Sequence, residues 1–257
     1  TSGRTTLNGE GLQHQDGHSH ILSSTIPNCL SYDPTYAYEV ATIVKDGIKK
    51  MYIDQENYFY YITTINENYT HPEMPKDCEE GIIKGMYVLS DNESYDVRLL
   101  GSGAILREAL KAKDILFKFK IKAQVWSVTS FNLLRKDGME IERYNQLNPS
   151  GKQKLTYVEE CFSDSNVPVI AATDYMRSYA EQIRPYIHSS YTTLGTDGYG
   201  RSDSRQTLRD FFEVDSKSIA RAAIYALYKN DKIDKNQIEN YYKELGIDSN
   251  KPNPWEI

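Results

Sequence analysis

The sequence has little of what marks a secreted, membrane-spanning or nucleic-acid-binding protein. Its three cysteines lie far apart and form no C-x-x-C pair, which favours free thiols in a reducing compartment. No apolar run approaches the roughly 20 residues that cross a bilayer. Lys and Arg number 30 against 36 Asp and Glu, so the basic surface that displaces counterions from nucleic acid is not expected. These absences predict a soluble, cytoplasmic protein with neither a membrane nor nucleic acid among its partners.

The chain also has no initiator Met and no signal peptide, since it begins Thr1-Ser2-Gly3-Arg4. This start predicts a piece of a longer protein. What is present suits a globular fold. The 257 residues, 39% of them hydrophobic and 26% charged, can bury the core of one large α/β domain or of two smaller ones.

The first third of the chain carries a strand–helix–strand pattern. Residues 29–32 fit a short strand, and Asp33-Pro34 then offers an N-cap followed by proline at the first helical position. Apolar residues at helical spacing predict a helix over 34–54. The aromatic and β-branched run 58–65 predicts a buried strand. This order is a βαβ unit, from which parallel sheets are built.

Residues 66–78 contain two prolines and no apolar period, so we expect a break there. We assign 1–70 to a first domain, 71–78 to a linker and 79–257 to a second domain. Residues 79–87 fit either a helix or a segment that leads into a strand. The predicted strands after them are 97–100, 124–128, 167–172 and 191–194, and the predicted helices are 104–117, 133–145, 175–187, 205–212, 215–229 and 234–245. This alternation predicts an α/β fold with an open, mostly parallel sheet covered by helices on both faces.

A glycine-broken segment near the N-terminus, residues 9–20, concentrates titratable side chains. Its candidate site residues are Glu10, His14, Asp16, His18 and His20. Imidazoles titrate near neutrality and a polar loop does not need them for packing, so the segment predicts proton transfer or anion recognition. A metal site is an alternative, because three histidines and an aspartate are suitable ligands. The spacing matches no specific zinc pattern, and no metal ligand is assigned.

Two glycine-containing turns are weaker candidates for an anion site. Gly101-Ser102-Gly103 follows a predicted strand and opens a helix, where backbone N–H groups could cradle a phosphate. The run 195–200 carries three glycines ahead of another helix. Neither has the rest of a dinucleotide fingerprint, so tight-turn geometry is the favoured explanation for both. Cys161 lacks a paired His or Asn nearby in sequence, so we predict a core thiol rather than a nucleophile.

Several segments resemble the homodimeric, bacterial-type pyruvate dehydrogenase first component. The most specific is Arg4-Thr-Thr-Leu-Asn-Gly-Glu-Gly-Leu-Gln-His-Gln-Asp-Gly-His-Ser-His20. Further similar segments are 25–34, 79–85, 99–103, 172–176 and 194–204. The resemblance covers essentially the whole chain. It implies a transketolase-like architecture in which residues 1–70 end a pyrimidine-binding domain and 79–257 form a C-terminal α/β domain.

The resemblance also implies an activity, cofactors and partners. The parent enzyme would be a homodimer that decarboxylates pyruvate with thiamine diphosphate and Mg²⁺. It would then reductively acetylate the lipoyl group of a dihydrolipoamide acetyltransferase. Glu10 and His14 match active-site positions of the family, with His14 beside the aminopyrimidine and the substrate. Residues 16–20 are similar to the Asp-Gly-Pro-Thr-His stretch of transketolases, so Asp16, His18 and His20 are carried over as neighbours of substrate or cofactor.

The chain departs from the family pattern in one respect. No Gly-Asp-Gly for the Mg²⁺-bound diphosphate occurs in it, and the glutamate that activates the aminopyrimidine would precede Thr1. We therefore expect a fragment that neither binds the cofactor nor turns over alone. Two alternatives stay open. The parent could be a related 2-oxo acid dehydrogenase or a transketolase-like enzyme, or the chain could be a non-catalytic module for dimer assembly.

Overall fold

A computed structural model of the protein describes residues 4–9, 11–90, 94–163 and 166–257. They form a two-stranded parallel sheet and a five-stranded sheet, with helices packed around both. The predicted α/β class is therefore confirmed. In the part of the chain that the structure covers, no helix is both long enough and apolar enough to cross a bilayer.

The smaller sheet is the predicted βαβ unit. Strands β1 (Cys29–Tyr32) and β2 (Phe59–Ile62) pair in parallel, with Cys29 opposite Phe59. Helix α1 (Ser19–Ser23) precedes β1, and α2 (Ala37–Ile48) continues into a π-helical turn, Lys49–Ile53. The helix and the second strand are shorter than predicted, but their order and pairing are confirmed.

The predicted start of α2 is wrong. Asp33 does not cap the helix, because its carboxylate is held by side chains of other elements described below. Tyr36 is the N-cap instead, and the Glu39 carboxylate accepts a hydrogen bond from the Tyr36 N–H at 2.9 Å. Residues 34–36 therefore lie outside the helix, and a tertiary contact overrides the local Asp-Pro signal.

The larger sheet is mostly parallel, as predicted. Its strands are β3 (Met86–Ser90), β4 (Val97–Ser102), β5 (Ala123–Val128), β6 (Val169–Ala172) and β7 (Tyr191–Leu194). They lie in the order β3-β5-β4-β6-β7, and β3 alone runs antiparallel to its neighbour. The uncertain stretch 79–87 holds a helix that ends at Gly85, where the backbone is left-handed (φ +119°), and then the start of β3.

Helices cover both faces of this sheet. In chain order they are α3 (Glu79–Lys84), α4 (Leu106–Lys118), α5 (Phe131–Leu147), α6 (Tyr157–Cys161), α7 (Arg177–Glu181), α8 (Arg205–Phe211), α9 (Ser216–Lys229) and α10 (Lys235–Leu245). Leu99 packs with α4, α9 and α10 in one buried cluster, whereas Leu100 packs with α5 and α7 in the other. Successive residues of a strand point to opposite faces, so β4 is buried on both sides and occupies the centre.

One predicted helix is interrupted. The helix expected over 175–187 is instead α7 followed by a separate 3₁₀ turn, Arg184–Tyr186. Pro185 lacks the N–H that an α-helix would need there, and its ring collides with the preceding turn. The proline is tolerated at the start of the new turn, where no donor is required.

The residues just before the predicted linker are packed against the rest of the protein. Glu67 forms ion pairs with Arg107 and Arg209, both at 3.0 Å. The Arg107 guanidinium lies 4.2 Å from the centre of the Tyr69 ring. These contacts join residues 66–71 to α4 and α8. The division into two domains stays a prediction.

Candidate active site

The centre of the larger sheet is a point where the strand order reverses. From β4 the chain crosses to β5 on one side, whereas β6 and β7 lie on the other. In open α/β sheets the crevice at the carboxyl ends of such strands is the usual ligand site. The loops that follow β4, β6 and β7 meet here, and the described N-terminal residues 4–9 and 11–20 lie against them.

Arg4 and Asp33 form a buried ion pair in this crevice, with Arg4 Nη1 2.6 Å from Asp33 Oδ1. Asp33 also accepts hydrogen bonds from the hydroxyls of Thr63 and Ser102, each at 2.7 Å. Burial would raise the pKa of Asp33, but the charge of Arg4 and the two hydroxyls outweigh it and hold the pKa below its usual range. This carboxylate therefore joins the N-terminal segment, β2 and β4 at a single point.

Gly103 leaves the space that the ion pair needs. Its backbone is left-handed (φ +50°), and a Cβ there would overlap the Asp33 carboxylate and approach Arg4 Nη1 to 2.6 Å. The Gly101-Ser102-Gly103 turn thus faces a side-chain carboxylate of this chain. This geometry agrees with the interpretation of Gly101-Ser102-Gly103 as a tight turn.

A second buried carboxylate anchors the same segment on the loop after β6. Asp174 accepts hydrogen bonds from Thr6 N at 3.0 Å and Thr6 Oγ1 at 2.8 Å. Burial raises the pKa of Asp174 to about 6, against the opposing charges of Arg4 and Arg209. Next to it, the Thr196 hydroxyl donates to Thr5 Oγ1 at 2.7 Å.

His14 lies on a short 3₁₀ turn, Leu12–His14, at the outer side of this arrangement. The backbone N–H of His14 donates a hydrogen bond to the Gly11 carbonyl at 2.9 Å, and the residue is partly buried. A partly buried imidazole can receive and return a proton while a substrate is bound against it. Glu10, the other predicted catalytic residue, lies outside the described residues.

Asp16 organises the turn that follows. Its Oδ1 accepts hydrogen bonds from His18 N at 2.8 Å and from Ser19 N at 2.9 Å. These bonds satisfy two N–H groups at the start of α1, as an N-terminal cap does. His18 is exposed. The assignment of Asp16 and His18 as neighbours of substrate stays a prediction.

His20 is enclosed among aromatic rings. It stacks on Tyr179 with the ring centres 5.0 Å apart, and the Tyr175 ring meets it edge-on at 4.7 Å. Its Nε2 lies 3.1 Å from Thr63 Oγ1. Burial lowers the pKa of His20 to about 4, so the imidazole is neutral at physiological pH. A substrate contact of His20 stays a prediction, since the side chain is completely covered in this structure.

Four of the predicted residues lie in the described part of the N-terminal segment, and the structure adds anchors of this segment that the sequence did not predict. The missed residues are Arg4, Asp33, Thr63, Ser102 and Asp174. The sequence does single out Asp33, but the Asp33-Pro34 pair predicts a helix cap and not a buried ion pair. Within the described ranges no three His, Cys, Asp or Glu side chains stand close enough to hold a metal ion.

Two family models match the chain. The pyruvate dehydrogenase E1 component middle domain matches residues 1–72, and the transketolase-like TK C-terminal domain matches residues 85–215. Among curated relatives, the pyruvate dehydrogenase E1 component of Pseudomonas aeruginosa is 56% identical over 99% of this chain. Those of Escherichia coli and Cupriavidus necator are 52% and 47% identical, over 99% and 100% of the chain. The chain spans 29% of the length of each of these relatives.

Solved transketolases share the fold. A transketolase from Campylobacter jejuni superimposes with a TM-score of 0.65 at 15% identity, over 87% of this chain and 30% of that one. A variant of the Pichia stipitis transketolase gives a TM-score of 0.64 at 18% identity, over 89% and 30%. Identities this low speak for the architecture alone.

Proposed function

Because the chain belongs to the pyruvate dehydrogenase E1 component family, we propose that it is part of an enzyme that decarboxylates pyruvate and reductively acetylates a lipoyl group. The observation that carries this proposal is the 56% identity to such a component over 99% of the chain. The acceptor of the acetyl group would be the lipoyl group of a dihydrolipoamide acetyltransferase. The enzyme would act as a homodimer in the cytoplasm.

Within this function, His14 and Glu10 act at the active site. The His14 imidazole donates a hydrogen bond or moves a proton at its ring nitrogens while negative charge develops on the substrate. The Arg4–Asp33 pair and Asp174 hold the N-terminal segment at the carboxyl ends of the strands of the larger sheet. Asp16 shapes the turn after His14, and His18 and His20 flank that turn.

The chain fits one end of thiamine diphosphate. When bound, this cofactor supplies the nucleophilic carbon that attacks a 2-oxo acid. A partly buried imidazole such as that of His14 suits the aminopyrimidine end, which presents hydrogen-bonding nitrogens. The diphosphate end needs Mg²⁺ and its ligands, and no group of three acidic or imidazole side chains in the described residues offers them. In this proposal the Mg²⁺ ligands come from another part of the parent enzyme.

An exposed apolar face supports the view that this chain works with a further part of the enzyme. Ile48, Tyr52 and Ile53, at the end of α2 and in the π turn, are 53%, 74% and 71% exposed. Adjacent apolar residues of this size are usually covered by another surface. By this proposal the chain alone is inactive.

The decisive assay compares the full-length enzyme with its His14→Ala variant on pyruvate and on 2-oxobutyrate. We expect pyruvate to be the better substrate and the variant to lose about 10²- to 10⁴-fold in kcat, the range of a lost acid–base group. A full-length enzyme that prefers 2-oxobutyrate would assign the chain to a related 2-oxo acid dehydrogenase. For the chain alone, adding thiamine diphosphate and Mg²⁺ should leave the melting temperature unchanged.

A further inference from the structure

The side chain of Gln15 pairs with the backbone of Arg201. Nε2 of Gln15 donates a hydrogen bond to the Arg201 carbonyl, and the Arg201 N–H donates to Oε1 of Gln15 at 2.6 Å. One side-chain amide thus satisfies both backbone groups of a single residue. The pairing also fixes the orientation of the amide, because the flipped orientation would set donor against donor and acceptor against acceptor.

Gly200 makes room for this pairing. A Cβ at position 200 would lie 2.7 Å from Oε1 of Gln15, closer than packed atoms allow, and 3.1 Å from its Cβ, which is a tight contact. The last glycine of the 195–200 run therefore has a specific role, which a turn or a phosphate cradle did not explain. It lets the N-terminal segment approach the loop after β7.

Arg201 is itself held in place. Its guanidinium lies 5.1 Å from the centre of the Phe211 ring in α8, and it donates a hydrogen bond to the carbonyl of Ile257. The backbone that Gln15 binds therefore belongs to a residue that is packed on α8. A hydrogen bond to a fixed residue restrains the position of Gln15, whereas one to a free loop would not.

Gln15 stands directly between His14 and Asp16. On its N-terminal side, Leu12 and Gln13 of the 3₁₀ turn are exposed, and a single 3₁₀ turn is too weak to hold a position by itself. On its C-terminal side, Asp16 N donates to the Arg4 carbonyl at 3.1 Å. The Gln15 side chain thus joins the residue next to His14 directly to the loop after β7.

We propose that Gln15 is a positioning residue, which holds the His14 imidazole at the reacting groups by tying its turn to the backbone N–H and carbonyl of Arg201. The inference rests on the proposed function in one respect, namely that His14 is the group being positioned. The substrate itself would not contact Gln15.

The test uses the full-length enzyme with Gln15→Ala, Gly200→Ala and, as a matched control, Gln13→Ala at the exposed glutamine two residues earlier. Misplacing a catalytic group by about 1 Å costs up to 10²-fold. We therefore expect kcat to fall about 10- to 100-fold in the first two variants, with KM for pyruvate changed less than about twofold. Gln13→Ala should keep the wild-type kcat. A Gln15→Ala enzyme with the kcat of Gln13→Ala overturns the inference.

A double-mutant cycle asks whether Gln15 acts through His14. In a His14→Ala background, Gln15→Ala should cost less than about twofold, because the group that it positions is gone. Independent, multiplicative effects would contradict the proposal. Amide hydrogen exchange supplies a readout without activity: residues 12–16 should exchange about tenfold faster in Gln15→Ala and at the wild-type rate in Gln13→Ala.

The two proposals can fail separately. If His14→Ala retains full kcat, the catalytic assignment of His14 fails, and the inference that Gln15 positions a catalytic group fails with it. Exchange then still reports whether the tie exists. If His14→Ala abolishes turnover while Gln15→Ala affects neither kcat nor exchange, the proposed function stands and the inference about Gln15 is overturned.

Discussion

The Tyr87 hydroxyl donates a hydrogen bond to the buried Glu39 carboxylate at 2.7 Å, which joins α2 to the edge strand of the larger sheet. The same carboxylate accepts a hydrogen bond from Ser127 Oγ at 2.6 Å and one from the N-cap residue Tyr36. Glu39 therefore caps its own helix and also connects the two sheets. A helix cap needs one acceptor oxygen, and here the second oxygen binds the hydroxyls of two strands of the larger sheet.

Replacing Glu39 by Gln should destabilise the protein by about 1–3 kcal/mol, because one oxygen acceptor becomes an NH₂ donor that faces other donors. The measurement is the free energy of unfolding from a urea titration followed by circular dichroism. Glu73→Gln, at an exposed glutamate, is the matched control and should change it by less than about 0.5 kcal/mol. Equal effects of the two substitutions would contradict the assigned role.

Replacing Asp33 by Asn should cost about 3–5 kcal/mol, because it leaves the Arg4 charge buried without its partner. Since the pKa of Asp33 is lowered in the folded state, its contribution is complete above the unfolded pKa and is lost as pH falls through the folded pKa. The stability gap between wild type and Asp33→Asn should therefore be constant from pH 7 to about 5 and narrow below about pH 4. Asp77→Asn, at an exposed position, is the control. A gap that widens on acidification would count against the buried pair.

Alanine substitutions at two glycines with left-handed backbone distinguish the cost of backbone strain from the cost of steric overlap. Gly246 (φ +66°) has no atom within 4 Å of an added Cβ, whereas at Gly103 (φ +50°) the Cβ would overlap Asp33. Gly246→Ala should cost about 1–2 kcal/mol, the strain of the conformation alone. Gly103→Ala should cost clearly more, since it also displaces a buried ion pair. Melting temperatures of the two variants decide the matter, and equal losses would mean that the Asp33 carboxylate moves aside freely.

The His20 imidazole should stay neutral down to about pH 4. A lowered histidine pKa means that the folded state disfavours the charged form, so stability falls as pH drops from about 6.5, the unfolded value, towards 4. Histidine-selective NMR measures the pKa directly. His20→Phe should remove this part of the pH dependence of the melting temperature. Titration of His20 near 6.5 would show that water reaches the ring.

Local patterns were enough to predict the fold class and most elements. The apolar pattern predicts the strand 97–100 and the helix 215–229, because it depends on neighbours only, and the structure has them at Val97–Ser102 and Ser216–Lys229. Asp33-Pro34 shows the limit of prediction from local patterns. The local rule predicts a helix cap, but a buried carboxylate takes the partners that satisfy it best, and for Asp33 these lie on three distant elements.

The sequence predicts the candidate residues but not the contacts that hold their segment. Three histidines among glycines predict a site, and the structure places this segment against the loops after β4, β6 and β7. The sequence could not reveal that Asp174 and Arg201 support this segment, because the pairing of residues so far apart leaves no periodic trace. Nor could it indicate that His20 is covered by tyrosines that come from β2, the β6 loop and α7.

The N-terminal segment binds loops that lie far later in the chain, which has a consequence for biosynthesis. Thr6 is bonded to Asp174, 168 positions later, and Gln15 to Arg201, 186 positions later. A ribosome that adds about 5–20 residues per second needs roughly 10 to 40 s to deliver the second partner after the first. During that interval the histidine-bearing segment lacks these partners, so the nascent chain can form the two contacts only after Arg201 has emerged.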